Sequence, residues 1–245
     1  FKNIHALYNR FGPTLRGSNI VIDNLTIENC YNDHVIDDVE WDNNCGALDV
    51  MSSGSFVMKN SSIINNVCDT TAGFSLARMW AFNEDYDTDV VIDNCLIANN
   101  EIIGGGVIFV TNSDETDFSN NTIVNNLSNG VATVHLGYDA SVRNSIFDNP
   151  DSRDLMYGGE LYIENNLFTK PENGNVFATW EESDMVINEG NIFGQDPLFM
   201  GGDPATKDYY TLFADDENGY SPAIDSGLEN SQYIFNAVPL AEFDL

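Results

Sequence analysis

Carboxylates and aromatic rings crowd two stretches of this chain. Asp33, His34, Asp37, Asp38, Glu40, Trp41 and Asp42 fall within 31–44, and Trp80, Phe82, Glu84, Asp85, Tyr86, Asp87 and Asp89 within 78–89. A ring that stacks on a pyranose face, beside acids that bond its hydroxyls, suits sugar binding. Trp41, Trp80 and Tyr86 are therefore the candidate ligand contacts, with packing against the protein body as the competing use of the same rings. Asp85, Asp87 and Asp89 set carboxylates at alternate positions, as calcium loops do, and Ca2+ takes about six to eight oxygens. No glycine follows them and no Glu closes the loop, so the EF-hand pattern is absent. Asp114, Glu115 and Asp117 form a second, looser acidic cluster.

Catalytic chemistry has fewer candidates. A polysaccharide lyase needs a cationic base, for which Arg78 beside the second acidic stretch is the best placed; Lys59 and Arg143 read as surface charges. A glycosidase needs two opposed carboxylates about 5–10 Å apart. Asp49 is the nearest acid to such a role and His135 the nearest general base, but no second acid joins them. The reading therefore favours a non-catalytic module over an enzyme, with a polysaccharide lyase or glycosidase as the alternative.

Composition limits the partners. The 39 acids against 9 bases give a net charge of −30, which excludes nucleic acid and anionic membranes, since both need Lys and Arg to neutralise phosphate. No apolar run of about 18 residues could span a bilayer as a helix. The chain begins at Phe1, in mid-pattern, which predicts a piece of a longer secreted polypeptide. Cys30, Cys45, Cys68 and Cys95 form no CxxC pair, and with three His a zinc site is not expected; three disulfide pairings are open.

What positions these residues is a repeat. An apolar-x-Asn-x-x-apolar-x-Asn pattern runs from Ile22 to Asn29 and from Met58 to Asn65, and returns through Ile92, Asn94, Ile97 and Asn99, through Phe118, Asn120, Ile123 and Asn125, and through Val142, Asn144, Phe147 and Asn149. A sixth copy holds Ile163, Asn165 and Phe168, and a degenerate seventh Ile187, Glu189 and Ile192. The first Asn of each copy falls at 24, 60, 94, 120, 144 and 165. The spacing shrinks to that of one coil of a β-solenoid, with insertions in the two long intervals. Apolar positions alternate within each copy as in strands. Asn tolerates the left-handed turn a coil corner needs, and amides stacked about 4.8 Å apart can bond one another. This column of first Asn residues is expected inside the turns, which would make the sequons at Asn24, Asn60 and Asn120 unavailable, leaving Asn126 as the fourth.

A leading strand precedes each copy. Leu48/Val50, Ile108/Val110 and Ala132/Val134 should point inward, and Asp49/Met51, Phe109/Thr111 and Thr133/His135 outward; Gly46, Gly73, Gly106 and Gly130 lead into these strands. The expected fold is all-β, a right-handed parallel β-helix of about seven to eight coils with an internal Asn ladder, coils over 1–190 and a closing coil and cap over 191–245.

The closing run, Asp196-Pro197-Leu198-Phe199, then Asp208-Tyr209-Tyr210-Thr211-Leu212, then Ser221-Pro222-Ala223-Ile224-Asp225-Ser226-Gly227, resembles the end of secreted right-handed parallel β-helix repeat proteins of the pectate-lyase-like superfamily, of the type found in Bacteroidetes and marine bacteria. The resemblance implies an extracellular or cell-surface location and fixes no activity, because the fold serves lyases, hydrolases, epimerases and adhesins. The expected function is adhesion, glycan binding or surface assembly, with a glycan or a cell-surface protein as partner and Ca2+ as the one cofactor in view.

Overall fold

A computed structural model of the chain describes residues 2–7, 14–32, 47–68, 75–81, 89–103, 105–111, 113–129, 132–137, 139–179, 185–187, 190–204, 206–215 and 219–223. Among these residues, apart from a two-stranded hairpin (Ala214–Asp215 with Gly219–Tyr220) and a Phe199–Leu212 bridge, every strand pairing is parallel. Sheet I stacks Thr14–Gly17, Leu48–Ser52, Ser75–Ala81, Gly106–Thr111, Val134–Leu136, Leu155–Tyr157 and Phe177–Thr179. Sheet II has two arms that share the long strand Ile20–Glu28. The leading arm continues through Phe56–Lys59, Asp89–Asp93, Glu115–Ser119, Asp139–Arg143, Leu161–Glu164 and Met185–Ile187. The trailing arm runs through Ser62–Ile64, Leu96–Ala98, Thr122–Val124, Ile146–Asp148, Leu167–Phe168 and Ile192–Phe193. Sheet III holds the two-residue strands Tyr31–Asn32, Val67–Cys68, Glu101–Ile102 and Leu127–Ser128. Each full coil passes through sheet I, the leading arm, the trailing arm and sheet III. The expected parallel β-solenoid is the fold.

The corner between the arms is the first Asn of each copy, at φ between 49° and 60° from Asn24 to Asn165. Asn29, Asn65, Asn99 and Asn125 turn a second corner in the same left-handed conformation. The geometry of the first column is as expected, but its location is not. Asn24 and Asn60 are exposed, and Asn94, Asn120 and Asn144 half-buried. The column is also broken: Asn94 Nδ2 donates to Asn60 Oδ1 at 2.8 Å, whereas Asn60 donates to Asp23 and Asn120 to Asp93. Successive side chains of an extended chain point to opposite faces, so a corner residue and its successor cannot both face inward. The successors form the ladders. Consequently the sequons at Asn24 and Asn60 are exposed, while Asn126 is buried.

After the second corner come Asn66, Asn100, Asn126 and Asn149, each almost wholly buried. Asn66 Nδ2 donates to Asn100 Oδ1 and Asn100 Nδ2 to Asn126 Oδ1, both at 2.9 Å, and Asn126 Nδ2 to Asn149 Oδ1 at 3.1 Å. The second N–H of each reaches a main-chain carbonyl: Ile27, Ile63, Ile97 and Ile123 in turn. Main-chain N–H groups of Cys30, Asn66, Asn100 and Asn126 fill the remaining lone pairs on the same Oδ1 atoms. Nothing polar in this column is left over, as burial demands. Behind the first corner runs a mixed column of Ser61, Cys95, Asn121, Ser145, Asn166 and Asn191, in which Cys95 N–H donates to Asn121 Oδ1 at 2.9 Å and Asn166 Nδ2 to Asn191 Oδ1 at 3.1 Å.

Two late coils depart from the sequence pattern. Asn149 carries no positive φ and sits in the ladder where Asn126 does, so the fifth coil has lost its second corner residue. In the last coil the corner is Gly190, φ 103°, and not Glu189; a Cβ there would lie 1.8 Å from Asn165 Oδ1, so only glycine fits. Gly106 has a different reason: its Cβ would meet the Ala132 and Ile108 carbonyls at 3.1 Å.

The core fills the lumen. Leu48, Val50, Ile108, Val110, Ala132 and Val134 point inward and are buried, as expected. Phe118, Phe147, Phe168 and Phe193 form a stack, with centroids 6.2, 4.9 and 5.2 Å apart. The three fully buried rings, Phe118, Phe147 and Phe168, each contribute about 1.5–3 kcal/mol by burial. Asn191 and the strand Ile192–Phe193 complete the last coil, after which the chain returns along the flank. Tyr210 packs on the outward Ile64, Leu96, Ala98 and Val124 of the trailing arm, with Phe199 and Tyr209 beside it. Its hydroxyl donates to Pro204 O and accepts from Asn99 Nδ2, both within 2.9 Å.

Candidate functional site

Parallel register aligns Thr14, Asp49, Arg78, Phe109, His135, Met156 and Ala178 in one row across sheet I, with the Arg78 side chain outside the described residues. The three catalytic candidates thus lie in one row, with Asp49 and Arg78 on neighbouring strands. Thr14 at its edge is exposed and Phe109 half-buried, but Asp49 and His135 are not open. Asp49 is 7% exposed and His135 4%, and Met51, Thr133 and Met156 beside them are buried as well. Expected as solvent-facing, these side chains are covered. The His135 ring packs edge-on against Phe109 at 4.2 Å, and burial pushes its pKa down to about 4. It is a neutral imidazole at pH 7.

Trp80 lies in the strand Ser75–Ala81, with its side chain outside the described residues; Trp41, Tyr86, Asp85 and Asp87 lie outside them altogether. Asp89 opens its strand exposed and is in register with Glu115, which is in register with Asp139, so acids share one register position on three successive coils. Among the described residues no group of three His, Cys, Asp or Glu is placed to hold a metal ion. Cys68 is disulfide-bonded. The Cys30 thiol donates to the Glu28 carbonyl, and the Cys95 thiol to the Asp93 carbonyl.

The leading arm carries a charged face that the sequence reading passed over. The residue before each first-corner Asn points outward, and the column reads Asp23, Lys59, Asp93, Ser119, Arg143, Glu164. Arg143, read as a lone surface charge, pairs with Glu164 at 3.2 Å, and Lys2 with Asp23 at 3.3 Å. The adjacent column reads Val21, Val57, Val91, Asp117, Ser141, Tyr162. Burial raises the pKa of both Asp93 and Asp117. Asp117 Oδ1 and Ser141 Oγ lack hydrogen-bond partners, and the Tyr162 hydroxyl donates to Glu160 at 2.6 Å. The signal was in the repeat: a charged residue stands before nearly every corner Asn.

Among the described residues no helix is long and apolar enough to cross a membrane. Compared with curated proteins and with solved structures, the chain finds no match. Among protein families, the model for the right-handed β-helix region matches residues 2–147, more than half the chain and five successive corners of the repeat. With the parallel sheets and buried amide ladders already described, the match places the chain in the right-handed β-helix family.

Proposed function

We propose that this β-helix is a non-catalytic recognition module of an extracellular or cell-surface protein, binding a glycan or surface partner through its outer faces. The observation that carries the reading is the burial of Asp49 and His135 in the sheet I row. Asp49 and His135 have the chemistry to act on a substrate, but at 7% and 4% exposure neither meets a polymer. The leading arm, in contrast, offers a flat face with a 39% exposed Tyr162, a 45% exposed Val21 and alternating charges. A ring for stacking and carboxylates for hydroxyls are the contacts a sugar chain uses. The expected result is binding to an immobilised glycan, weakened about tenfold by Tyr162→Ala. No unsaturated or reducing-end product should form from pectin, alginate or neutral glycans, with or without calcium. Robust product formation would overturn it.

One observation favours a second reading, a carbohydrate-active enzyme: Asp49, Arg78 and His135 share a row, with Asp49 and Arg78 adjacent. That reading predicts turnover, and a loss of kcat on Asp49→Asn or His135→Ala.

A further inference from the structure

Between the first-corner Asn column and the returning C-terminal segment lies a groove of about 310 Å³. Asn24, Asn60 and Asn94 line one wall with Ser62 and Leu96, and Lys207 closes the other side. Its volume is at the lower end of small-molecule sites.

Lys207 is the one charged residue of the lining among the described residues. In a chain with 39 acids and 9 bases, Lys2, Arg143 and Lys170 are each paired with a carboxylate. Lys207 has no such partner among the described residues, and neither have Arg16, Lys59 and Arg153. The facing wall is rich in unused hydrogen-bonding capacity. Asn24 spends one N–H on Asn3, Asn60 one on Asp23 and Asn94 one on Asn60. Each amide keeps a second N–H, and the carbonyl oxygens of Asn24 and Asn94 accept nothing from the described residues. The left-handed φ at each Asn fixes these amides to the backbone at coil spacing, so three of them span on the order of 10 Å.

We infer that this groove binds a small polyhydroxylated monocarboxylate, its carboxylate on the Lys207 ammonium and its hydroxyls on the amides of Asn24, Asn60 and Asn94. One cation matches one negative charge; amides supply the paired donors and acceptors that hydroxyls need. Leu96 contributes the apolar floor for carbon-bound hydrogens. The site is separate from the Tyr162 face, and neither reading depends on the other.

The test is calorimetric titration of the full chain with sodium gluconate, alongside sorbitol and sodium acetate. Gluconate binding at least tenfold tighter than either control, and lost at least tenfold in both Lys207→Met and Asn60→Asp, is the expected result. Asp suits the left-handed corner; it adds a repelling charge and gives up the amide donor to Asp23, but it leaves the C-terminal segment untouched, so it keeps the test sound if Lys207→Met loosens that segment. Absence of gluconate binding, or binding that both variants leave unchanged, or acetate matching gluconate, overturns the assignment. Tyr162→Ala should leave gluconate binding intact, which separates this outcome from that of the glycan face.

Discussion

The Lys170 ammonium lies 3.0 Å from the Asp154 carboxylate where the amide ladder ends. Asn149 Nδ2 donates to Asp154 Oδ1 at 3.0 Å, so a carboxyl oxygen accepts the hydrogen bond that a further ladder Asn would have accepted. Asp154 is fully buried, and burial pushes its pKa up to about 6, with Lys170 and Asn149 pulling the other way. An acid whose folded pKa exceeds its unfolded value stabilises the fold at low pH and loses that contribution as pH rises, here between about 4 and 6. Asp154→Asn removes the loss. Relative to the parent, the variant should therefore gain on the order of 2 kcal/mol between pH 4 and pH 7, read from urea midpoints at several pH values. A difference that does not vary with pH would refute the assignment.

His135 tilts the balance the other way in the same window. Its folded pKa, about 4, lies below the ordinary 6.5, so its contribution is present above 6.5 and lost as pH falls toward 4. His135→Phe should hold its stability on acidification better than the parent. The two variants tilt the pH profile in opposite senses, and the parent stays flatter than either. The His135 ring resonances should show no titration midpoint near 6.5; one found there would contradict the burial argument.

The corner and ladder Asn residues separate under substitution. Asn94 owes its place to a left-handed φ of 52°, which glycine adopts freely, so Asn94→Gly should cost less than about 1 kcal/mol. Asn100 donates to Asn126 and the Ile63 carbonyl and accepts from Asn66 twice. Asn100→Gly strands buried partners on both neighbouring coils and should cost about 3 kcal/mol or more. Chemical denaturation of both variants tests the difference. Equal costs would mean that the inner column does not bear the load assigned to it.

Much of this architecture is legible in the sequence because its period is short and its constraint severe. A left-handed corner every coil leaves Asn or Gly as the residues that fit, so the corners at 24, 60, 94, 120, 144 and 165 stand out in the text. The inner ladder is less visible. Its positions tolerate Ser61, Cys95 and Asn121 alike, since any small polar side chain that bonds the next coil will serve. The pattern puts Glu189 where Gly190 turns and Asn149 where a corner is expected for a related reason: one residue added or lost at a corner leaves the strand register intact while shifting the count. The outward face of sheet I defeated period-two reasoning altogether. Alternation tells which side of a sheet Asp49 and His135 occupy, and says nothing of what lies over that side.

Cys95 gives the sharpest check on the inner column. Its thiol donates to the Asp93 carbonyl at 3.3 Å, as the Ser61 hydroxyl does to Lys59 O and the Ser145 hydroxyl to Arg143 O, each two residues back. Burial pushes the thiol up to about 12, so almost none is thiolate at neutral pH, and the thiolate is the nucleophile. Cys95 should therefore resist iodoacetamide in the folded protein and react once urea opens the coil. Cys95→Ser keeps a donor at that position and should shift stability by less than about 1 kcal/mol, whereas Cys95→Val fills similar volume without a donor and leaves the Asp93 carbonyl only the Asn60 N–H, costing about 1 kcal/mol. If Val were tolerated better than Ser, Cys95 would be acting as a core hydrophobe, and the mixed column would be ordinary packing.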